Sequence, residues 1–170
     1  VFGRAKALDA LGRNDEALAE YERLITDYNA SEWHDDARLC KAEMLVRLDR
    51  LLEAEALYKE SIGLLSDSDL LDEMKYNLGW VYIKEKKYED AVDIFKELAR
   101  RGTNDTLRIS ALLRLGDVYY GQKKYDDALS AYDTILKKYS DTLYADYAQY
   151  QIAEVFYAQE KYDSAILSLQ

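Results

Sequence analysis

Proline is absent from the 170 residues, where about 5% would be usual. Glycine is scarce, at seven. A chain with so few helix breakers, and rich in Ala, Leu, Glu and Lys, is expected to be helical throughout. One cysteine, Cys40, excludes an internal disulfide and any multi-cysteine metal site, and one histidine, His34, excludes a histidine pair. The longest stretch without a charge is the eight residues Tyr76–Ile83. A bilayer-spanning helix needs about 20, which excludes direct membrane insertion. Positive charge is in deficit, with 23 Lys and Arg against 33 Asp and Glu, a net of −10. Such a chain repels phosphate backbones and anionic lipid, which argues against nucleic acid and against docking on a membrane surface. No methionine and no basic, apolar leader opens the chain at Val1, so it reads as a segment of something longer, with any targeting signal outside it.

What is present is a core-forming composition, 49% apolar and 33% charged, ordered by a repeat. Ala17, Ala54, Ala91, Ala128 and Ala165 follow one another at intervals of 37 residues. Four residues after each stands Tyr21, Tyr58, Phe95, Tyr132 or Leu169. Twelve before stands a small residue, Ala5, Ala42, Gly79, Gly116 or Ala153, and nine before a large apolar one, Leu8, Leu45, Tyr82, Tyr119 or Phe156. Four columns thus hold register over five copies without a gap.

Each copy reads as two helices. In the clearest, Leu112, Leu115, Val118, Tyr119 and Tyr120 make one helical stripe, and Ala128, Leu129, Tyr132, Ile135 and Leu136 a second. The link Gly121–Tyr125 is short, which makes the two antiparallel neighbours. The small residue of the first helix and the alanine of the second mark a close backbone approach, with the aromatic column filling the wedge beside it. A pair this thin buries one face only and must stack on its copies. Charge agrees: Lys86-Lys87, Lys123-Lys124 and Lys161 fall near first-helix ends, and Glu89-Asp90, Asp126-Asp127 and Asp163 open second helices. Candidate N-caps of the first helices are Ser31, Ser68 or Asp69, Thr103 or Asn104, and Ser140 or Asp141. The expected helices span 1–11, 14–28, 33–48, 51–65, 70–85, 88–101, 106–121, 125–138, 143–158 and 162–170. They group into five hairpins, 1–31, 32–68, 69–105, 106–142 and 143–170.

Leu78-Gly79, Tyr82, Tyr88, Ala91 and Phe95, and again Leu115-Gly116, Tyr119, Tyr125, Ala128 and Tyr132, resemble the tetratricopeptide repeat. The resemblance covers the chain, with weaker copies where Arg4 and Lys41 replace the leucine. It implies an all-α fold: an α-solenoid of about ten helices, a superhelix of antiparallel hairpins whose first helices line a concave groove. Two features depart from the family pattern. The period is 37 rather than 34, and the proline that usually closes each repeat is missing. The linker Lys138-Tyr-Ser-Asp-Thr-Leu-Tyr-Ala-Asp-Tyr-Ala-Gln-Tyr is similar to those of bacterial cell-envelope members of the family.

Carried onto this chain, the resemblance places Leu39, Tyr76, Leu113 and Tyr150 in one groove column, and Glu43, Trp80, Asp117 and Glu154 in the next. A third holds Ile83, Tyr120 and Tyr157. Trp80 is the exception in a column otherwise held by charged residues. Apolar anchors within a polar rim have the anatomy of a peptide- or helix-binding surface, and the acids favour a basic or amphipathic segment. The competing reading is that the aromatics fill space between neighbouring repeats. Open, apolar array ends also invite self-association.

No catalytic constellation emerges, and no cofactor is implied. His34 is expected in the turn 29–36, without a second strong ligand at helical spacing. Cys40 has no base to activate it, and reads as a structural thiol. Asp67-Ser-Asp69 and Asn104-Asp105 lack the remaining ligands of a calcium loop and read as helix caps. The sequence therefore points to a non-enzymatic scaffold for protein partners. The alternatives are a docking region of a larger enzyme or envelope assembly, with any chemistry outside this segment, and an RNA-reading helical array, which the acidic columns disfavour.

Overall fold

The computed structural model describes residues 1–65 and 69–170, with the Asp69 side chain left aside. Ten helices follow in chain order among the described residues: α1 (Phe2–Ala10), α2 (Asn14–Asp27), α3 (His34–Arg47), α4 (Leu51–Leu64), α5 (Asp69–Lys84), α6 (Tyr88–Arg101), α7 (Asp105–Gly121), α8 (Tyr125–Lys138), α9 (Leu143–Ala158) and α10 (Tyr162–Leu167). They form two compact units, Val1–Lys87 and Tyr88–Gln170. In the first, each helix from α1 to α4 packs on the next, and α3 also touches α5. In the second, α6 to α10 pack in the same serial way, and α7 touches α9. This is the α-solenoid arrangement of helical hairpins that the family resemblance implied.

The four columns explain the packing. Ala5, Ala17, Ala42, Ala54 and Ala128 are fully buried, as are Tyr21, Tyr58 and Tyr132 to within 1%. The tightest approach lies between α7 and α8, where a Cβ on Gly116 would stand 2.3 Å from the Tyr132 ring. In the fifth copy the aromatic column ends differently, because α10 stops at Leu167 and Leu169 is exposed.

The turn inside each copy is identical. Gly12, Asp49, Lys86, Lys123 and Glu160, again 37 apart, all adopt a left-handed backbone, with φ between 59° and 70°. In each, two N–H groups return to the preceding helix. Lys123 N–H donates to the Tyr120 carbonyl, and Lys124 N–H to that of Tyr119, both at 2.9 Å. This is a Schellman motif, and only the first copy places glycine at its left-handed position. Second helices α2, α4, α6 and α8 all have 14 residues. The variation lies in where first helices begin: α3 has 14 residues and α7 has 17.

Helix starts correct two cap expectations. Asn104 does cap α7, accepting from Leu107 N–H at 2.9 Å. Trp33, not Ser31, precedes α3, and Thr142, rather than Ser140 or Asp141, precedes α9, neither with a side-chain cap. Ser31 instead accepts from Trp33 N–H at 3.2 Å, tightening the turn before α3. The expected caps and acidic cluster at Asp67 and Ser68 lie outside the described residues.

Candidate functional site

In the first unit the facing turns of α3 and α5 form an open cleft of about 520 Å³. Its lining includes Glu43 and Arg47 from α3, Tyr58 from α4, and Asn77, Trp80 and Lys84 from α5. Residues 73, 77, 80 and 84 recur at helical spacing along one stripe of α5. Trp80 and Tyr76 are half-buried, as is Ile83. Glu43 accepts from the Asn77 side-chain amide at 3.3 Å. Burial first, and then the charge of Glu73, pushes the Glu43 carboxyl above its usual range, outweighing the help of Asn77 and Arg47. Arg47 is turned to Asp9, at 2.5 Å.

Beneath this pair lies Tyr58, 1% exposed. Among the described residues its hydroxyl makes no hydrogen bond of good geometry; the Asn77 amide lies close enough to favour the phenolate, but its bond of good geometry goes to Glu43. Burial, and then the Glu43 charge, holds the phenol protonated far above neutrality. The same columns are resolved differently in the second unit, where the Tyr132 hydroxyl donates to Asp117 Oδ1 at 2.7 Å. Glu43 stands in the Asp117 column but is one methylene longer, and its carboxylate goes to Asn77 instead.

In the second unit, α7 presents Asp117 and Tyr120 and α9 presents Tyr147, Tyr150 and Glu154. Tyr150 is 50% exposed. Its hydrogen bond to Glu154, more than any burial, raises the phenol pKa. Asp117 also pairs with Arg114 at 2.8 Å. Tyr157 is exposed and packs edge-on to Tyr162 at 5.4 Å. A separate apolar cleft of about 790 Å³ lies against α8 and α9, with Leu129, Leu136, Ile152 and Phe156 in its wall.

Two residues expected on these walls lie inside. Leu39 and Leu113 are only 8% and 5% exposed. An aliphatic side chain in that column gains more by packing between adjacent helices than by facing water, whereas Tyr150 keeps its polar end wet. His34 is also displaced from expectation. It is the first residue of α3 rather than a turn residue, half-buried, with Nδ1 3.0 Å from Asp35 Oδ1. Cys40 is half-buried, and burial, more than the nearby Glu43 charge, raises its thiol pKa. That keeps it protonated and a poor nucleophile. Among the described residues no cluster of three or more His, Cys, Asp or Glu could hold a metal, and no helix is long and apolar enough to cross a membrane.

The sequence reading passed over Asn77 and the Tyr58 hydroxyl. The only signal was a mismatch between columns: tyrosine at 58 and 132 is matched by Glu at 43 and Asp at 117.

A tetratricopeptide repeat-like domain model matches residues 5–136, and a tetratricopeptide repeat model matches residues 113–170. The chain belongs to the tetratricopeptide repeat family. No curated protein sequence matches it. Among solved structures, BtubC from P. vanneervenii superposes with a TM-score of 0.81 at 17% identity, over 97% of this chain and 74% of that one. A crystal structure of MamA gives 0.75 at 19% identity, over 97% and 90% of the two chains. The nearly identical repeats of a Podosopora anserina putative kinesin light chain give 0.77 at 14% identity, over 99% and 89%. At these identities the likeness is one of fold. The tetratricopeptide repeat fold supports a scaffold for protein–protein interaction in general.

Proposed function

We propose that this tetratricopeptide repeat chain is a non-enzymatic scaffold that binds a peptide or helical segment of a protein partner on the exposed faces of its first helices. One observation carries the reading. In each unit the first helices keep partly exposed aromatics beside carboxylates: Trp80 and Tyr76 with Glu43, and Tyr120 and Tyr150 with Asp117 and Glu154. Large, stiff amphipathic rings among acids suit the capture of a basic or amphipathic segment.

The test is selection of peptides from a displayed random library on the intact chain, followed by affinity measurement on Trp80→Ala and Tyr150→Ala. The reading expects selected peptides enriched in Lys and Arg, weakened about tenfold or more by at least one of these substitutions, with melting unchanged. Affinities indifferent to both substitutions would remove it. Self-association, the other partner expected from the sequence, is read separately as a concentration-dependent mass in light scattering.

A further inference from the structure

The second unit carries a tyrosine ladder that its own packing does not consume. On α9, Tyr147, Tyr150, Glu154 and Tyr157 share one stripe of the helix. The three tyrosines are 42%, 50% and 62% exposed. Tyr147 and the half-buried Tyr120 of α7 lie close enough to Tyr150 to act on its hydroxyl. Among the described residues no ring contact joins any two of Tyr120, Tyr147 and Tyr150; Tyr120 meets Tyr125 instead, and Tyr157 meets Tyr162 edge-on. The α9 rings therefore stand as separate plates, each with surface open to a partner. The hydroxyls of Tyr147 and Tyr157 make no hydrogen bond among the described residues, so each can donate outward. Asp117 has both oxygens engaged, by Tyr132 at 2.7 Å and Arg114 at 2.8 Å. Glu154 differs. It is half-buried and accepts from the Tyr150 hydroxyl, and among the described residues no cation lies within ion-pair distance of it.

This surface selects among backbone forms. An amphipathic helix needs an apolar groove for its anchors, but Leu113 on the α7 wall is only 5% exposed, and what projects is phenol. An extended strand brings N–H donors that need a row of acceptors, and the ladder offers one carboxylate. A proline-rich segment brings carbonyl acceptors, few N–H donors and flat apolar rings. Phenol faces and outward hydroxyls match it, and its stiffness lowers the ordering cost of binding. The spacing agrees. Seven residues of α9 separate Tyr150 from Tyr157, about 10 Å along the axis, and polyproline II presents the same face every about 9 Å. The unpaired Glu154 calls for a basic residue beside the prolines. We infer that the exposed face of α9, with Tyr120 beside it, receives a proline-rich segment of a partner polypeptide in polyproline II form, its proline rings against Tyr147, Tyr150 and Tyr157 and a neighbouring basic side chain paired with Glu154. This rests on the scaffold reading above and specifies what that scaffold recognises in its second unit.

The probes are three blocked octapeptides: Arg-Pro-Pro-Ala-Pro-Pro-Ala-Pro, the same with every proline replaced by alanine, and the same with citrulline, the uncharged isostere, for arginine. Each is titrated into the intact, ¹³C-tyrosine-labelled chain. Ring signals are assigned with Tyr147→Phe, Tyr150→Phe and Tyr157→Phe. The expected result is a saturable shift of these three signals with the proline peptide. The alanine peptide should bind about tenfold or more weaker, and the citrulline peptide about twofold to fivefold weaker. Tyr150→Ala and Tyr147→Ala should each weaken the proline peptide about tenfold or more. Both side chains are about half exposed, so both variants should melt close to the parent, and lost binding in them is not unfolding. Glu154→Gln should weaken the arginine-bearing proline peptide about twofold to fivefold and leave the citrulline peptide unchanged. Equal binding of proline and alanine peptides, equal binding of arginine and citrulline peptides, shifts confined to other tyrosines, or undiminished binding by both alanine variants would overturn the inference. Library peptides that need Tyr150 but carry no proline would sink it and leave the scaffold reading standing. Library affinities indifferent to Trp80 and Tyr150 would sink the scaffold reading, and this inference with it.

Discussion

The sharpest consequence of the packing is at Gly116. A Cβ there would lie 2.3 Å from both Cε1 and Cζ of Tyr132 and 2.8 Å from Cδ1. The ring cannot swing away at no cost, because it is fully buried and its hydroxyl is fixed to Asp117 at 2.7 Å. Gly116→Ala should gain about 1 kcal/mol of helix propensity in α7. Against this stands overpacking of about 1–3 kcal/mol, plus about 1 kcal/mol or more if the ring shift breaks the Tyr132–Asp117 hydrogen bond. With that bond broken, as the 2.3 Å approach demands, the expected net is a loss of about 1–3 kcal/mol, or roughly 2–12 °C in melting temperature for a chain of this size. Circular dichroism melts would read the loss, and hydrogen exchange would localise it to α7 and α8. The double variant Gly116→Ala/Tyr132→Leu supplies a control, since the fifth copy already combines Ala153 with Leu169 in those columns. Removing the ring should make the alanine neutral or favourable, a coupling of about 1 kcal/mol or more between the two positions. The first two copies do combine alanine with tyrosine, at 5 and 21 and at 42 and 58, so their backbones must stand further apart. If Gly116→Ala alone is as stable as the parent, the α7–α8 contact relaxes freely and the close-approach argument is wrong.

Other outcomes follow from the turns and the charges. Lys123→Gly should raise stability by about 0.5–1 kcal/mol, because Lys123 holds a left-handed backbone at φ 59° that glycine adopts without penalty; an unchanged or lower denaturation midpoint would contradict this. Asn104→Ala should cost about 1 kcal/mol by removing the cap on Leu107 N–H, with faster exchange in the first turn of α7 as its local sign. Hydrogen bonds from Lys59 and then Lys87 lower the Glu55 carboxyl to a pKa of about 2, so its contribution is present above the ordinary carboxylate range and fades as pH falls from about 5 towards 2. Both lysines are partly exposed, at 55% and 38%, which discounts the effect to about 1 kcal/mol. Glu55→Gln should flatten that part of the acid limb in a pH series of denaturation midpoints. The raised Glu43 carboxyl has the opposite sign: its ionisation opposes folding as pH rises through its elevated value. Glu43→Gln should therefore be at least as stable as the parent at neutral pH, and a clear loss there would contradict the assigned shift.

The fold was readable because a repeat multiplies weak signals. One alanine at position 17 says little, but five alanines 37 apart, each with a small residue twelve before it, identify a backbone contact. From that contact the described helix bounds fall within about two residues except at the C-terminus, where α10 ends at Leu167. The turns were less readable for a physical reason. The left-handed position is held by Asp49, Lys86, Lys123 and Glu160, none of which carries the glycine signature. Two returning N–H bonds per turn hold the conformation, so tertiary and capping energy outweigh residue preference there. The candidate site was the least readable part, because it is made of departures from the repeat rather than of the repeat itself. Column position placed Leu39 and Leu113 beside Trp80 and Tyr150, yet the leucines are buried and Tyr150 is not, since burial at a shared position depends on the side chain and its neighbours. Glu43 and Asp117 differ by a single methylene, yet Asp117 accepts from the buried Tyr132 hydroxyl while Glu43 accepts from Asn77. A regular lattice of helices thus encodes its own geometry redundantly, while recognition is carried by single substitutions in that lattice, each of which must be read in three dimensions. By that logic Trp80, the residue that breaks its column, is where altered binding should first separate from altered stability.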